Sequence, residues 1–186
     1  MKHFLWAWTL SFSLVLAALG FFPRESNAAS ASELERDGRA ALDSLYRQAP
    51  AAASLSKRAK GILVFPSVVK AGLVVGGQYG EGVLFKNGKA AGYYNTGGAS
   101  YGLQAGAQKF GYAMFFMNDN ALAYLDSSKG FEIGIGPSVV VMDEGMAKQT
   151  STTTLKDDIY GFIFGQSGLM AGLGLQGNKI TKIDKR

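Results

Sequence analysis

Gly82-Val83-Leu84-Phe85-Lys86-Asn87-Gly88-Lys89-Ala90-Ala91-Gly92-Tyr93-Tyr94 decides the fold class of this 186-residue chain. Asn87-Gly88 joins two apolar runs, and both residues tolerate the positive φ of a two-residue hairpin turn. The stretch therefore predicts two antiparallel strands. Upstream, Ile62-Leu63-Val64-Phe65 and Leu73-Val74-Val75 read as further short strands.

Downstream, Phe110 to Met117 is a continuous apolar run, as expected of a strand covered on both faces. Asn118-Asp119-Asn120 caps a short helix over Ala121 to Ser128, and Gly130 ends it. Strand alternation then resumes. Phe131, Ile133 and Ile135 point one way and Glu132, Gly134 and Gly136 the other, and Leu169 to Gln176 alternates likewise. Gly177-Asn178 predicts a second hairpin at the C-terminus, while residues 145–158, centred on Gln149 to Thr154, read as a polar loop or edge strand. The chain holds 25 glycines, about twice the usual share. The alternation explains much of that excess: one sheet face is nearly bare, so something must lie close against it.

Upstream of the sheet, residues 32–60 carry helical periodicity. Ser32 and Glu35 suit a capping box, and Leu34, Ala41, Leu42, Leu45 and Ala49 recur at helical spacing. Pro50 suits the first turn of a second helix, whose end is marked by Lys57, Arg58, Lys60 and Gly61. The predicted fold class is α+β: a curved antiparallel sheet or partly closed barrel, flanked by an N-terminal helix pair and one short helix near residues 120–128.

Lys2 and His3 precede the uncharged run Phe4 to Phe22, and the small residues Ser26 and Ala28 follow. This predicts a signal peptide over 1–28 and a domain over 29–186, exported to the periplasm or cell envelope. The run is also long enough to remain uncleaved as an inner-membrane anchor. Removal of Lys2, Arg24 and Glu25 takes the net charge from +5 to +4.

Cysteine is absent and His3 is the sole histidine, which excludes disulfides, thiolate chemistry and Cys/His zinc sites. Gly172-x-Gly174-x-x-Gly177 matches a dinucleotide fingerprint in letters only, because no helix opens there. Ser54-x-x-Lys57 lacks the companion elements of penicillin-recognising enzymes. The pairs Asp143-Glu144 and Asp157-Asp158 have no calcium-loop spacing around them and read as solvated turns. No catalytic residue, metal site or cofactor is expected.

The basic cluster remains. At about 100° per helical residue, Lys57, Arg58 and Lys60 share one face, opposite Ala52, Leu55 and Ala59. Such a helix end lies well on an anionic surface. Complementing the helix macrodipole explains the same charges without any partner. Each base near an anionic membrane contributes about 1 kcal/mol, so the cluster needs apolar insertion, a headgroup pocket or several copies to bind usefully.

Ala59-Lys60-Gly61-Ile62-Leu63-Val64-Phe65-Pro66-Ser67-Val68-Val69-Lys70-Ala71-Gly72, followed by Gly76-Gly77-Gln78-Tyr79-Gly80-Glu81-Gly82-Val83-Leu84, closely resembles the SYLF domain family. Tyr93-Tyr94-Asn95, Gly97-Gly98, Tyr101 to Gln108, Met117-Asn118 and Gly168-Leu169-Met170-Ala171-Gly172 continue the resemblance in order. It implies a non-enzymatic lipid-binding module, directed to phosphoinositides in eukaryotic relatives and linked to actin in yeast ones. Carried over by position, Lys57, Arg58, Lys60 and Lys70 become the headgroup ligands. The expected partner is an anionic phospholipid membrane, bound peripherally, and nucleic acid is not expected. Two competing expectations stand beside it: a structural envelope protein, a homo-oligomer mated through its bare glycine face, and a small outer-membrane barrel.

Overall fold

An apolar strand such as Phe110–Phe116 needs cover on both sides, and the architecture supplies it. In a computed structural model of the chain, the structure describes residues 29–72, 75–101, 106–127, 131–133, 136–142, 156–168 and 178–185. Helices α1 (Ala31–Gln48) and α2 (Pro50–Ser56) precede strands β1 (Gly61–Gly72), β2 (Val75–Lys86), β3 (Lys89–Tyr101) and β4 (Gly106–Phe116). Helix α3 (Asp119–Ser127) follows, then β5 (Phe131–Glu132), β6 (Val139–Met142), β7 (Ile159–Gly168) and β8 (Lys179–Ile183). The eight strands form one sheet in the order β5-β8-β3-β2-β1-β4-β7-β6, curled into a half-barrel. All pairings are antiparallel except β6 with β7, so the sheet is mixed at that edge.

The two faces carry separate cores. On the inner face, Leu63, Phe65, Val68, Leu84, Phe110, Tyr112, Met114 and Phe116 pack with Ala121, Leu122 and Leu125 of α3 and with Phe131 and Ile180 from the far edge. On the outer face, Val64, Val83, Phe85, Ala113, Phe115, Tyr160 and Phe162 receive Leu34, Leu42 and Leu45 of α1 and Ala51, Ala52 and Leu55 of α2. Alternate residues of β4 thus face opposite cores, as its unbroken apolar run requires. Gly38 lets α1 sit close, since a Cβ there would meet Val83 Cγ1 at 2.7 Å.

One irregularity determines the faces of β1. The register shifts between Val64 and Ser67 against β2, and between Phe65 and Val68 against β4. This is a β-bulge at Pro66, the place in a central strand where a missing backbone donor is tolerated. It inserts one residue, so the inner face is read by Leu63 and Phe65 before it and by Val68 and Lys70 after it. β1 therefore runs through Pro66, longer than the short strand expected from Ile62 to Phe65.

Other expectations shift for physical reasons. Ser-x-x-Glu occurs twice in succession, and α1 uses the first copy: Ser30 Oγ accepts from Glu33 N at 3.3 Å while Ser30 N donates to Glu33 Oε2 at 2.9 Å. The Glu35 carboxylate, expected in the box, instead accepts a hydrogen bond from Tyr93 Oη at 2.7 Å. β5 stops at Glu132, although Phe131 and Ile133 are buried together as the alternation requires. The first hairpin forms as read, with Asn87 at φ 52° and Gly88 at φ 74°. The Phe4–Phe22 run, Leu73-Val74, most of the 145–158 loop and the first arm of the second hairpin lie outside the described residues.

α3 is held over the inner face by its Asp126. The Tyr94 hydroxyl donates to Asp126 Oδ1 at 2.8 Å, Lys86 Nζ donates to Oδ2 at 3.3 Å, and Lys182 Nζ stands 3.9 Å from Oδ1. Burial alone pushes this carboxyl up, yet the bonds from Tyr94 and Lys86 and the charges of Lys86 and Lys182 together hold it below the ordinary carboxylate range. A depressed folded pKa gives stability that is complete above the unfolded value, about 3.9, and is lost as pH falls through the folded one. Asp126→Asn is expected to cost on the order of 1 kcal/mol at pH 7 in urea unfolding. That difference should shrink steadily on acidification below pH 4, and a pH-independent difference would refute the assignment.

Candidate functional site

The end of α2 is built by backbone and displayed by side chains. Pro50 occupies the first turn, and Ala51, Ala52 and Leu55 are buried against the sheet. Arg58 N and Ala59 N both donate to Leu55 O at 3.0 Å, and Lys60 N donates to Phe116 O at 2.8 Å. The last bond feeds the chain into β1 beside β4. Ala59 packs on the outer core, while Lys57, Arg58 and Lys60 are exposed; α2 ends at Ser56, so the three cations lie in the turn leading to β1 and not on a helix face as the sequence spacing predicts.

These three cations are neighbours in sequence, border different depressions, and are only weakly neutralised. Lys60 Nζ lies 3.9 Å from Asp119 Oδ2, with both side chains more than half exposed, a geometry that contributes little. Among the described residues no carboxylate forms an ion pair with Lys57 or Arg58. Lys57 stands on the rim of an open cleft of about 320 Å³, shared with Arg39, Asp43, Tyr46 and the Asn87-Gly88 turn. Arg39 is already engaged: it donates to Gly88 O at 2.9 Å and lies 4.6 Å over the Phe85 ring. Arg58 borders a shallower depression of about 220 Å³ with Met117, Asn118, Lys156 and Asp157. Long cationic arms at an open surface can hold phosphate oxygens from one side; they do not enclose a small ligand.

Lys70, expected with them, is elsewhere. Ten residues along β1 place it roughly 30 Å from Lys60, and the bulge turns it to the inner face, where it is 6% exposed. The four cations therefore do not form one patch. Across the sheet Lys70 pairs with Gln78 on β2 and Gln108 on β4. Gln78 pairs in turn with Gly98, whose bare backbone lies against Asn178: a Cβ on Gly98 would meet Asn178 Oδ1 at 2.2 Å. Thr96, two residues inward, is fully buried. Sequence reasoning missed this polar row, and the only signal for it was the proline that forces the bulge.

The outer face beyond the helix pair is bare. Val69, Val75 and Tyr79 are each more than half exposed, and Ala71, Gly77, Ala99 and Ala107 beside them are exposed as well. Of the acid pairs, Asp158 is a structural clasp: it accepts from Asn118 Nδ2 at 2.6 Å and from Ser138 N at 3.2 Å. The Asn118 bond, with those from Ser138, holds its carboxyl below the ordinary range. Asp143-Glu144 and the Gly172–Gly177 motif lie outside the described residues. Among the described residues no group of three or more His, Cys, Asp or Glu could hold a metal ion, and no helix is long and apolar enough to cross a membrane.

Residues 97–185 match the Ysc84 family, described as "Las17-binding protein actin regulator". No curated protein matches the chain. The matched span runs from the second half of β3 to the end of β8, so it contains Gln108 and Asn178 and excludes the helix pair. Both the fold and the matched span agree with the motifs Gly97-Gly98, Tyr101 to Gln108 and Met117-Asn118. Residues 97–185, just under half of the chain, are thus similar to the Ysc84, or SYLF, family, in agreement with the resemblance carried by the sequence motifs.

Proposed function

We propose that this chain is an exported, non-enzymatic module that docks peripherally on anionic lipids of the cell envelope through the basic end of α2. Similarity to the Ysc84 family over residues 97–185 supports a lipid- or actin-related binding role. An exported domain meets lipid rather than actin, and the leader-like residues 1–28 favour export. A cut after Ala28 leaves intact both the Ser30 capping box and the bond that Lys185 Nζ donates to Ala29 O. The observation that supports the lipid reading is the trio Lys57, Arg58 and Lys60, exposed in the turn that follows α2, whose backbone is bonded to Leu55 O and Phe116 O.

At about 1 kcal/mol per cation, replacing all three by serine is expected to weaken binding to phosphatidylglycerol vesicles roughly hundredfold. Co-sedimentation of the wild type and the triple variant measures this. Equal pelleting with neutral and anionic vesicles, or an unaffected variant, contradicts the reading.

A second reading rests on the bare outer face. Val69, Val75 and Tyr79 form an exposed apolar strip among small residues, a surface fit for a second copy of the chain. Light scattering should then find a dimer for the wild type and a monomer for Tyr79→Glu; a monomeric wild type removes this reading.

A further inference from the structure

Lys70 poses a problem that the membrane reading does not solve. Its ammonium lies on the inner face, and among the described residues no carboxylate pairs with it. The residue is 6% exposed while its Nζ is not among the fully buried polar atoms, so the aliphatic stem is covered and the ammonium keeps an edge to solvent without a protein partner among the described residues. Its surroundings are polar but equally unsatisfied. Gln78 Nε2, Gln108 Oε1 and Asn178 Nδ2 are buried and find no hydrogen-bond partner, and Thr96 Oγ1 and Tyr112 Oη, also buried, have only each other. These are all such side-chain atoms among the described residues, and native interiors leave few of them. The register places Gln78 and Gln108 directly across from Lys70, which distinguishes a site from scattered imperfections.

Their placement follows from the register. Gly98, Gln78, Lys70 and Gln108 succeed one another across β3, β2, β1 and β4, with neighbouring strands about 4.8 Å apart, and Asn178, just before β8, lays its side chain over the bare Gly98. Thr96 and Tyr112 stand further in on the same face, and both are fully buried. Lys70, Gln108 and Asn178 are each more than nine-tenths buried. The row lies close to the β1–β2 end of the sheet, where Gly72 pairs with Gly76 and Gln78 is itself only partly buried.

We propose that Lys70, Gln78, Gln108 and Asn178 form an interior binding site for a hydroxyl-bearing oxyanion of glycerol phosphate type. The ammonium and the two amide N–H groups, of Gln78 and Asn178, offer three kinds of donor to oxyanion oxygens, and charge-assisted bonds of this sort are the stronger class. Gln108 Oε1 and Thr96 Oγ1 accept from a hydroxyl on the same ligand. The single cation matches a single phosphodiester or phosphate charge. Free glycerol phosphate and the headgroup of phosphatidylglycerol share this chemistry. The site is independent of the α2 surface, because replacing Lys57, Arg58 and Lys60 leaves every group of the row in place.

The test uses the full chain with sn-glycerol 3-phosphate in one arm and phosphatidylglycerol vesicles in the other, followed by calorimetry and thermal unfolding. The wild type is expected to bind at least one probe and to melt higher with it. Lys70→Met should lower that affinity at least tenfold while melting, without ligand, no lower than the wild type, since it keeps the covered stem and removes a cation that has no protein partner among the described residues. A purely structural lysine gives the opposite stability result. Gln108→Leu provides the same comparison should the first variant misfold. Binding of the soluble probe assigns a free metabolite, and Lys70-dependent binding of vesicles alone assigns a lipid headgroup. The inference is overturned if neither probe raises the wild-type melting temperature, or if both variants bind as the wild type does. Vesicle binding that is lost only in the Lys57, Arg58 and Lys60 variant supports the surface reading and overturns this one.

Discussion

The bulge at Pro66 is the constraint on which the rest depends. A central strand cannot lose a backbone donor without a local break in its ladder, so β1 absorbs the proline by inserting one residue between Phe65 and Val68. Before the bulge, Leu63 and Phe65 face α3 and Val64 faces the helix pair; after it, Val68 and Lys70 face inward and Val69 faces out. Without that insertion Lys70 would lie on the outer face and Val69 in the interior. A single imino acid therefore decides that Val69 faces solvent and Lys70 the interior.

The bare residues opposite the bulge complete the fit. A Cβ at Gly82 would come within 2.6 Å of both Phe65 Cδ1 and Val64 O, and one at Gly80 within 2.8 Å of Ser67 O. Those contacts are between the strand that bulges and the strand beside it. The glycines of β2 are where β1 swells, which explains part of the glycine excess more specifically than a bare sheet face does. Aromatic packing then fills the inner side, with Phe65 and Tyr112 stacked at 4.6 Å.

Much of the architecture was legible because its signals are local. Asn87-Gly88 carries its own turn geometry, the run Phe110 to Met117 requires two covers, and Pro50 separates two helices whose apolar faces repeat at helical spacing. Lys57, Arg58 and Lys60 are exposed, but in the turn beyond Ser56 and not on the helix face that the angular arithmetic assumes. Features that depend on partners distant in sequence were not legible. The capping box had two equivalent letters, and Tyr93, 58 residues from Glu35, settles which copy is used. The parallel pairing of β6 with β7 needs knowledge of the sheet order. Gln78, Gln108, Thr96 and Asn178 carry no motif at all; only the register of four strands brings them beside Lys70.

Two kinds of cation thus serve this domain, one set displayed at a helix end and one enclosed beneath a sheet. Amine acetylation of the folded protein, followed by mass spectrometry of each lysine, tests that division most directly. The account predicts fast modification of Lys57 and Lys60 and strong protection of Lys70 until the chain is denatured; modification of Lys70 in the native protein at the rate of Lys60 would contradict it.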